Sequence, residues 1–369
     1  MSDPVILLDN IVFELQEVGG ISKIWNKKIK YLESNMKGKV KYLEGKNVKD
    51  NIFRRELELS NLNIVPDKNL PLIIRRYTQV KTEEKGVFHS SYFRVTTSNK
   101  NMKNIVTVHD CSYENFAVGL KKKVHIWQKL FALKNADRIF CVSNNTKKEL
   151  LFFYPWLNEE KIDVVPNGVD DDFYSIKDLP NRIIINNQEI KKNNFILYVG
   201  GRNYHKNFFS IFHLLDTESF KDLKLEIIIV GGSKLSNSEK KEIYKLRGSD
   251  KVKFINLVSN HDLNLLYNMA YCFVFPSIYE GFGIPVLEAM QAGCPVLSSN
   301  IPSLVEVIGH GGLFFSPNDY TEMKTKFNKL TDDDFKKEKI NYGLSRSKDF
   351  SWKKTFDKVA SLYEQLLYS

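Results

Sequence analysis

Long apolar runs are missing from this chain. Nothing in it approaches the roughly 18–20 residues of a membrane-spanning helix, and its longest apolar stretches, such as Ile227 to Val230, have the length of a strand. Cysteine is scarce: Cys111, Cys141, Cys272 and Cys294 are far apart in sequence, which argues against zinc ribbons, iron–sulfur clusters and CxxC redox pairs. Cys141 and Cys272 lie inside apolar runs and are expected to be buried thiols. The first residues, Met1 to Pro4, carry neither a basic segment nor an apolar one, so no secretory signal is read and a cytoplasmic location is expected. No GxxxxGK[ST] loop occurs, which argues against P-loop nucleotide hydrolases. Helix-turn-helix, zinc-finger and RNP-like patterns are also lacking, which argues against a nucleic-acid partner.

What is present is ordinary globular composition, with 43% hydrophobic and 27% charged residues over 369 positions. At roughly 100–200 residues per domain, that length suggests two domains. The net charge of +10 is unevenly spread. Residues 1–170 hold 28 basic and 20 acidic side chains, a surplus of eight, and residues 171–369 a surplus of two. A basic first half can face nucleic acid, an anionic membrane or an anionic substrate, and charge alone does not choose among them.

Strand-like and helix-like patterns alternate. Val5 to Leu8, Gly86 to His89, Asn104 to His109, Arg138 to Ser143 and Ile162 to Val165 read as strands. Ile21 to Ser34, Lys121 to Asn135 and Asn144 to Phe152 read as helices. The polar stretch from Asp171 to Asn194 breaks the rhythm and reads as an interdomain connection, with some order around Ile183 to Ile185. The alternation then resumes. Phe195 to Val199, Leu225 to Val230, Val252 to Ile255, Cys272 to Phe275, Val296 to Ser298 and Leu313 to Phe315 are expected strands. Asn207 to Leu215, Ser238 to Leu246, Asp262 to Met269 and Pro285 to Ala292 are expected helices. This is an α/β chain with two doubly wound, Rossmann-like domains in tandem. An amphipathic stripe through Trp352, Phe356, Val359, Leu362, Tyr363 and Leu366 closes it.

Doubly wound sheets bind ligands at the carboxyl ends of their strands, and four such loops carry candidate chemistry. Gly19-Gly20 precedes a helix and suits either a phosphate or a plain tight turn. Gly200-Gly201-Arg202, with Lys206 four residues on, places two cations after a strand, where they can hold a diphosphate or simply face solvent. Phe275 to Glu288 reads strand, glycine loop, then helix opened by Pro285. It carries Glu280 and Glu288, two carboxylates able to accept hydrogen bonds from vicinal hydroxyls. Val286 occupies the third-glycine position of a dinucleotide fingerprint, which discounts NAD. Val108-His109-Asp110 is open to acid–base, sugar-binding or structural roles.

With these residues in place, the chain resembles glycosyltransferase family 4. The most specific match is the E-x7-E motif from Glu280 to Glu288 within FPSIYEGFGIPVLEAM. The resemblance continues through Ser303 to Glu306, Gly311-Gly312, Gly201-Arg202 with Lys206-Asn207, and Pro166 to Asp170. It also covers Gly19 to Ser22, Val108 to Asp110 and Arg138 to Ser143, and leaves Tyr31 to Lys85 with little match. It implies the GT-B fold, two Rossmann-like domains facing a central cleft. Residues 1–175 would bind the acceptor, 176–350 a nucleotide-sugar, and 351–369 would form a helix returning to the first domain.

The resemblance also implies roles. Glu288 would accept hydrogen bonds from ribose hydroxyls, and Glu280 would bond the transferred sugar. Arg202 and Lys206 would bind the diphosphate, although many relatives place the lysine further from the arginine. Gly283 and Ile284 would line the sugar–phosphate site by their backbone. Gly19 or Gly20 would approach the donor phosphate, His109 would contact the donor sugar, and the base would rest near Val258. The expected reaction is retaining transfer of a hexose from a GDP-, UDP- or dTDP-linked sugar to a glycan or lipid-linked glycan, in surface polysaccharide or lipopolysaccharide assembly. No metal or other cofactor is expected, and Asp170-Asp171-Asp172 is discounted as a metal site. A GT-B epimerase, a phosphorylase-like enzyme and a non-catalytic sugar- or nucleic-acid-binding protein are the competing readings. The basic clusters at Lys23, Lys27, Lys28 and Lys30, at Arg75 and Arg76, and at Lys121 to Lys123, with Val118 to Val124, predict peripheral attachment to the anionic inner face of a membrane.

Overall fold

The structure, a computed structural model, describes residues 3–232, 235–256 and 258–368. It divides into two compact units, Met1–Pro166 with Trp352–Ser369, and Asn167–Ser351. In the first, seven parallel strands form one sheet: β1 (Val5–Asp9), β2 (Val40–Glu44), β3 (Ile64–Pro66), β4 (Gly86–Ser90), β5 (Met102–Val108), β6 (Arg138–Cys141) and β7 (Ile162–Val164). Their order is β3-β2-β1-β4-β5-β6-β7. Every residue of β1 and β4 is buried, which is why these central strands read as unbroken apolar runs rather than alternating ones. One face packs Ile6, Leu8, Val87 and Ile105 against Trp25, Ile29 and Leu32 of the helix Gly20–Asn35. The helix Trp352–Leu367 adds Phe356, Val359 and Tyr363 to that face. The other face packs Val106, Val108 and Ile139 against Ala132, Leu133 and Leu150 of the helices Gly119–Lys134 and Asn144–Phe153.

The last helix is fastened by a buried polar contact. His89 Nδ1 lies 2.6 Å from the Tyr363 hydroxyl and its Nε2 lies 2.8 Å from Thr107 Oγ1. Burial holds this imidazole well below its usual range, so it stays neutral and bridges the two hydroxyls.

The second unit opens with a hairpin, β8 (Arg182–Ile185) and β9 (Gln188–Lys191). Six parallel strands follow: β10 (Phe195–Val199), β11 (Glu226–Val230), β12 (Val252–Ile255), β13 (Cys272–Phe275), β14 (Val296–Ser299) and β15 (Gly312–Phe315), in the order β12-β11-β10-β13-β14-β15. All four cysteines are buried thiols and none is in a disulfide. Burial pushes the Cys141 and Cys272 thiols up to about 12.

Three sequence expectations need correction. Asp171 to Asn194 is not a connection. It belongs to the second unit, where Phe173 packs edge-on to Tyr267 at 5.8 Å and Asn264 and Asn268 accept from the backbone of Tyr174 and Ile176. The hairpin turn is Asn186-Asn187, at φ 48° and 61°, left-handed geometry that asparagine tolerates and two-residue turns require. Second, Asn207 to Leu215 is not an α-helix. Asn207 adopts φ 48°, and Phe208–Asp216 continues as 3₁₀ turns. Third, the basic surface is smaller than the sequence suggests. Lys28 is buried with its ammonium 4.2 Å from the Trp25 ring, and Arg75 is buried between Glu14 and Asp67. Lys28 lies three residues after Trp25 on the helix and so shares its inward face. The stretch Tyr31 to Lys85 supplies β2 and β3, which add an edge to the first sheet.

Candidate functional site

In each of the two parallel sheets the strand order reverses once. In the second unit the chain runs outward from β10 to β12, then crosses back to lay β13 on the other side of β10. The loops after β10 and β13 therefore diverge from adjacent strand ends, leaving the crevice where such sheets bind ligands. These are the loops that carry Arg202, Lys206 and Glu280.

The loop after β13 reaches the loop after β10 directly. Lys206 Nζ lies 2.7 Å from Glu280 Oε1, and Ser277 Oγ donates to the same oxygen at 2.7 Å. The Ile278 amide donates to the His205 carbonyl at 2.8 Å, tying the two backbones. The 3₁₀ turn Tyr204–Lys206 and the left-handed Asn207 turn the lysine toward β13, where its ammonium also lies 5.7 Å from the Phe275 ring. Sequence reasoning placed both residues at the site without predicting their contact.

Arg202 is held from the other side. Its Nε donates to Glu239 Oε1 at 2.7 Å and its Nη1 to the Gly231 carbonyl at 3.3 Å. Glu239 is itself fixed by a capping box with Ser236, and these contacts hold its carboxyl below the usual range despite partial burial. The sequence reading missed Glu239. It also missed Gly231-Gly232 after β11, whose visible signal was a glycine pair ending an apolar run. A β-carbon on Gly232 would lie 2.5 Å from the Arg202 guanidinium.

Glu288 projects from the helix Ile284–Gln291, is 6% exposed, and accepts from the Tyr267 hydroxyl at 3.1 Å. Burial and this carboxylate push the Tyr267 phenol well above its usual range, so it stays a donor. The helix starts at Gly283, where φ is 107° and a β-carbon would meet Leu304 at 2.5 Å. Glycine is required there on both counts. Beyond it Pro285 has no N–H, and the Val286 amide donates to the Gly283 carbonyl at 3.1 Å. Val258 lies in the loop between β12 and the helix Asn260–Met269 and is half-buried.

In the first unit the reversal lies between β1 and β4. Gly19 caps and Gly20 begins the helix Gly20–Asn35. A β-carbon on Gly19 would collide with the Gln16 amide, while none would touch anything at Gly20. His109 lies just past β5, and burial lowers its imidazole to about 4 even though Asp110 opposes the shift. It lines a cavity of about 300 Å³ together with residues from the loops after β1, β4 and β5. Asp172 accepts from Asn260 at 2.7 Å. No cluster of three or more metal-ligating side chains occurs among the described residues.

The sequence profile described as "Glycosyl transferases group 1" matches residues 181–344, and the one described as "Glycosyltransferase Family 4" matches residues 57–173. The chain belongs to glycosyltransferase family 4. The transferase is 29% identical over 259 residues to the O-antigen chain mannosyltransferase RfbU of Salmonella typhimurium, a match covering 70% of this chain and 67% of that protein. It is 29% identical over 297 residues to the serotype-specific mannosyltransferase WbdA of Escherichia coli, covering 76% of this chain but only 36% of that longer protein. Its fold matches sucrose-phosphate synthase from Thermosynechococcus elongatus with a TM-score of 0.73 over 100% of both chains at 18% identity. It matches Anabaena Alr3699/HepE in complex with UDP-glucose with a TM-score of 0.71 at 16% identity, over 98% of this chain and 99% of that one. The transferase therefore has the GT-B fold. No helix among its described residues is long and apolar enough to cross a membrane.

Proposed function

We propose that this transferase moves a hexose, with retention, from a nucleoside-diphosphate sugar held by its second unit to a glycan or lipid-linked glycan held by its first, in surface polysaccharide assembly. The observation that carries the reading is the 2.7 Å contact of Lys206 with Glu280 at the switch point of the second sheet. It pairs a cation suited to a leaving diphosphate with a carboxylate suited to a sugar hydroxyl. In this reading Arg202, braced by Glu239, joins Lys206 on the diphosphate, and Glu288 takes the ribose. The backbone of Gly283 and Ile284 borders the phosphate, and the base lies by Val258. Gly19, Gly20 and His109 are the first unit's contributions. No side chain is assigned as nucleophile. The departing diphosphate accepts the acceptor's proton on the same face of the sugar, and catalysis rests on positioning and charge stabilisation. No metal takes part. Mannosyl donors come first for testing because the relatives RfbU and WbdA are named mannosyltransferases.

A thermal-shift screen with GDP-, UDP- and dTDP-sugars, run with EDTA present, tests the donor assignment. Ligand at 100 times its Kd adds about 2.7 kcal/mol of stability. Glu288→Ala is expected to weaken that response by roughly 10- to 150-fold in Kd, and Glu280→Ala to lower turnover instead. Wild-type behaviour in both variants, or a response that vanishes in EDTA, would remove the corresponding part of the proposal.

We further propose that the transferase attaches to anionic membrane through the helix Gly119–Lys134. Lys28 and Arg75 are buried, whereas here Val118 (84% exposed), Leu120 (76%) and Trp127 (57%) lie beside Lys121 to Lys123. Each lysine near an anionic surface contributes about 1 kcal/mol, and the effect fades with salt. Vesicle flotation at low salt should recover the wild type with anionic but not neutral vesicles, and recovery should fall sharply when all three lysines are changed to glutamine. Equal recovery of the two proteins would defeat this assignment.

A further inference from the structure

The second unit has a cavity away from the candidate site. Leu225 and Lys251 line it and directly precede β11 and β12, so it opens at the amino ends of these strands. Arg202, Lys206 and Glu280 follow the carboxyl ends of β10 and β13 in the same sheet. The cavity encloses about 340 Å³, within the roughly 300–1,000 Å³ of small-molecule sites. Leu215 and Phe220 form its floor, at the edge of this unit's core.

Its walls are cationic. Lys221, Lys224, Arg247 and Lys251 line it against one carboxylate, Asp216, and all four cations are exposed. Lys221 Nζ donates to the Asp216 carbonyl at 3.2 Å, and Lys251 Nζ lies 4.0 Å from the exposed Asp250. Among the described residues, neither Lys224 nor Arg247 has an acidic partner. Like charges gathered round one hollow repel one another, and an anion placed among them relieves that repulsion.

The backbone at Lys224 is an independent observation. The helix Glu218–Asp222 ends with the Leu225 amide on the Phe220 carbonyl and the Lys224 amide on the Lys221 carbonyl, both at 3.0 Å. This closure puts the residue after the cap in the left-handed region, and Lys224 has φ 51°. Glycine or asparagine takes that conformation at less cost, so helix termination explains the turn but not the lysine. A side chain held there against its backbone preference points to a use for its charge. The lining sets the ligand's chemistry. Four cations against one carboxylate favour a dianion over a monoanion, and the floor with the aliphatic lysine stems favours an apolar body. Asp222 and Asp250, exposed outside the cavity, would repel a broad anionic surface such as a membrane, whereas a small anion inside it meets Asp216 alone.

We propose that this cavity is a second binding site, separate from the donor crevice, for a small phosphate monoester with an apolar body. Lys224 and Arg247 hold the phosphate, and Leu215 and Phe220 underlie the apolar part. The test uses the full chain, with ligand-observed NMR titration of phenyl phosphate, phenol and inorganic phosphate. Phenyl phosphate is expected to bind more tightly than either of the other two, because it alone meets both the cations and the floor. The double variant Lys224→Gly with Arg247→Gln should bind it about 10-fold or more weakly, the loss of two charged contacts. Its melting temperature should not fall, since glycine suits the backbone at position 224, and this also reports that the variant is folded. Lys206→Gln, changed at the opposite strand ends, should bind phenyl phosphate as the wild type does. Three results would overturn the proposal: phenyl phosphate binding no better than phenol or inorganic phosphate, wild-type affinity in the double variant, or loss of binding in Lys206→Gln, which would place the anion in the donor crevice.

Discussion

Replacing Lys206 with alanine is expected to lower turnover about 10²- to 10³-fold, the usual consequence of removing one preorganised charge from a developing anion. The expectation comes from how the lysine is held. The turn Tyr204–Lys206 brings its ammonium to 2.7 Å from Glu280 Oε1, an oxygen that Ser277 also occupies. The side chain is thus aimed before substrate arrives, and no reorganisation is needed as the diphosphate departs. Folding should be little affected, because the pair is partly exposed and such bridges contribute about 0–1 kcal/mol. Turnover and melting temperature measured together would separate the two effects. Because Lys206 and Glu280 touch, their double variant should lose less than the product of the single losses. A Lys206→Ala enzyme within about threefold of wild-type turnover would exclude the lysine from the site, given the size expected of such a charge.

The largest expected loss of stability is at Arg94, whose side chain is 1% exposed. It pairs with Asp9 at 3.0 Å and Asp67 at 2.8 Å, at the carboxyl end of β1. Arg94→Met would leave the buried Asp9 without its cation and Asp67 with Arg75 alone, a change that costs about 3–5 kcal/mol. In a unit of this size that is about 6–20 °C in Tm. The sign of the pH dependence follows from Asp9. Burial already raises its carboxyl above the usual range, and Arg94 is the strongest opposing influence. Without the arginine the folded state binds that proton still more tightly than the unfolded state does, so the variant should gain stability as pH falls. Denaturant titrations of wild type and variant at pH 5 and pH 8 should show the smaller difference at pH 5. Equal differences at the two pH values would mean that Asp9 is not the group left stranded.

The parallel strands were legible because burial on both faces makes them apolar without interruption: β10, β12 and β13 have the bounds their hydrophobic runs suggest. β3 was not, since an edge strand of three residues carries no such run. The hairpin β8–β9 was read as a connection because its asparagines look like loop residues, and only the left-handed angles at Asn186 and Asn187 show that they form a turn. Lys28 and Arg75 looked like surface charge because sequence counts a cation without showing what surrounds it.

By itself the sequence determined the fold class, the family and the positions of Arg202, Lys206, Glu280 and Glu288, because each lies in or just beyond a strand-to-helix loop whose glycines and flanking hydrophobics are local signals. Only the tertiary structure decided which of these residues meet. Lys206 and Glu280 are 74 positions apart in the chain and touch because β13 returns to lie beside β10. Glu239 reaches Arg202 through the loop after the neighbouring strand β11, and Arg76, Tyr92, Tyr113 and His125 surround one cavity from segments that share no local pattern. The reason is physical: periodicity and turn chemistry act over a few residues, whereas a site in a doubly wound sheet is assembled where the strand order reverses, and that order is set by the packing of the whole sheet.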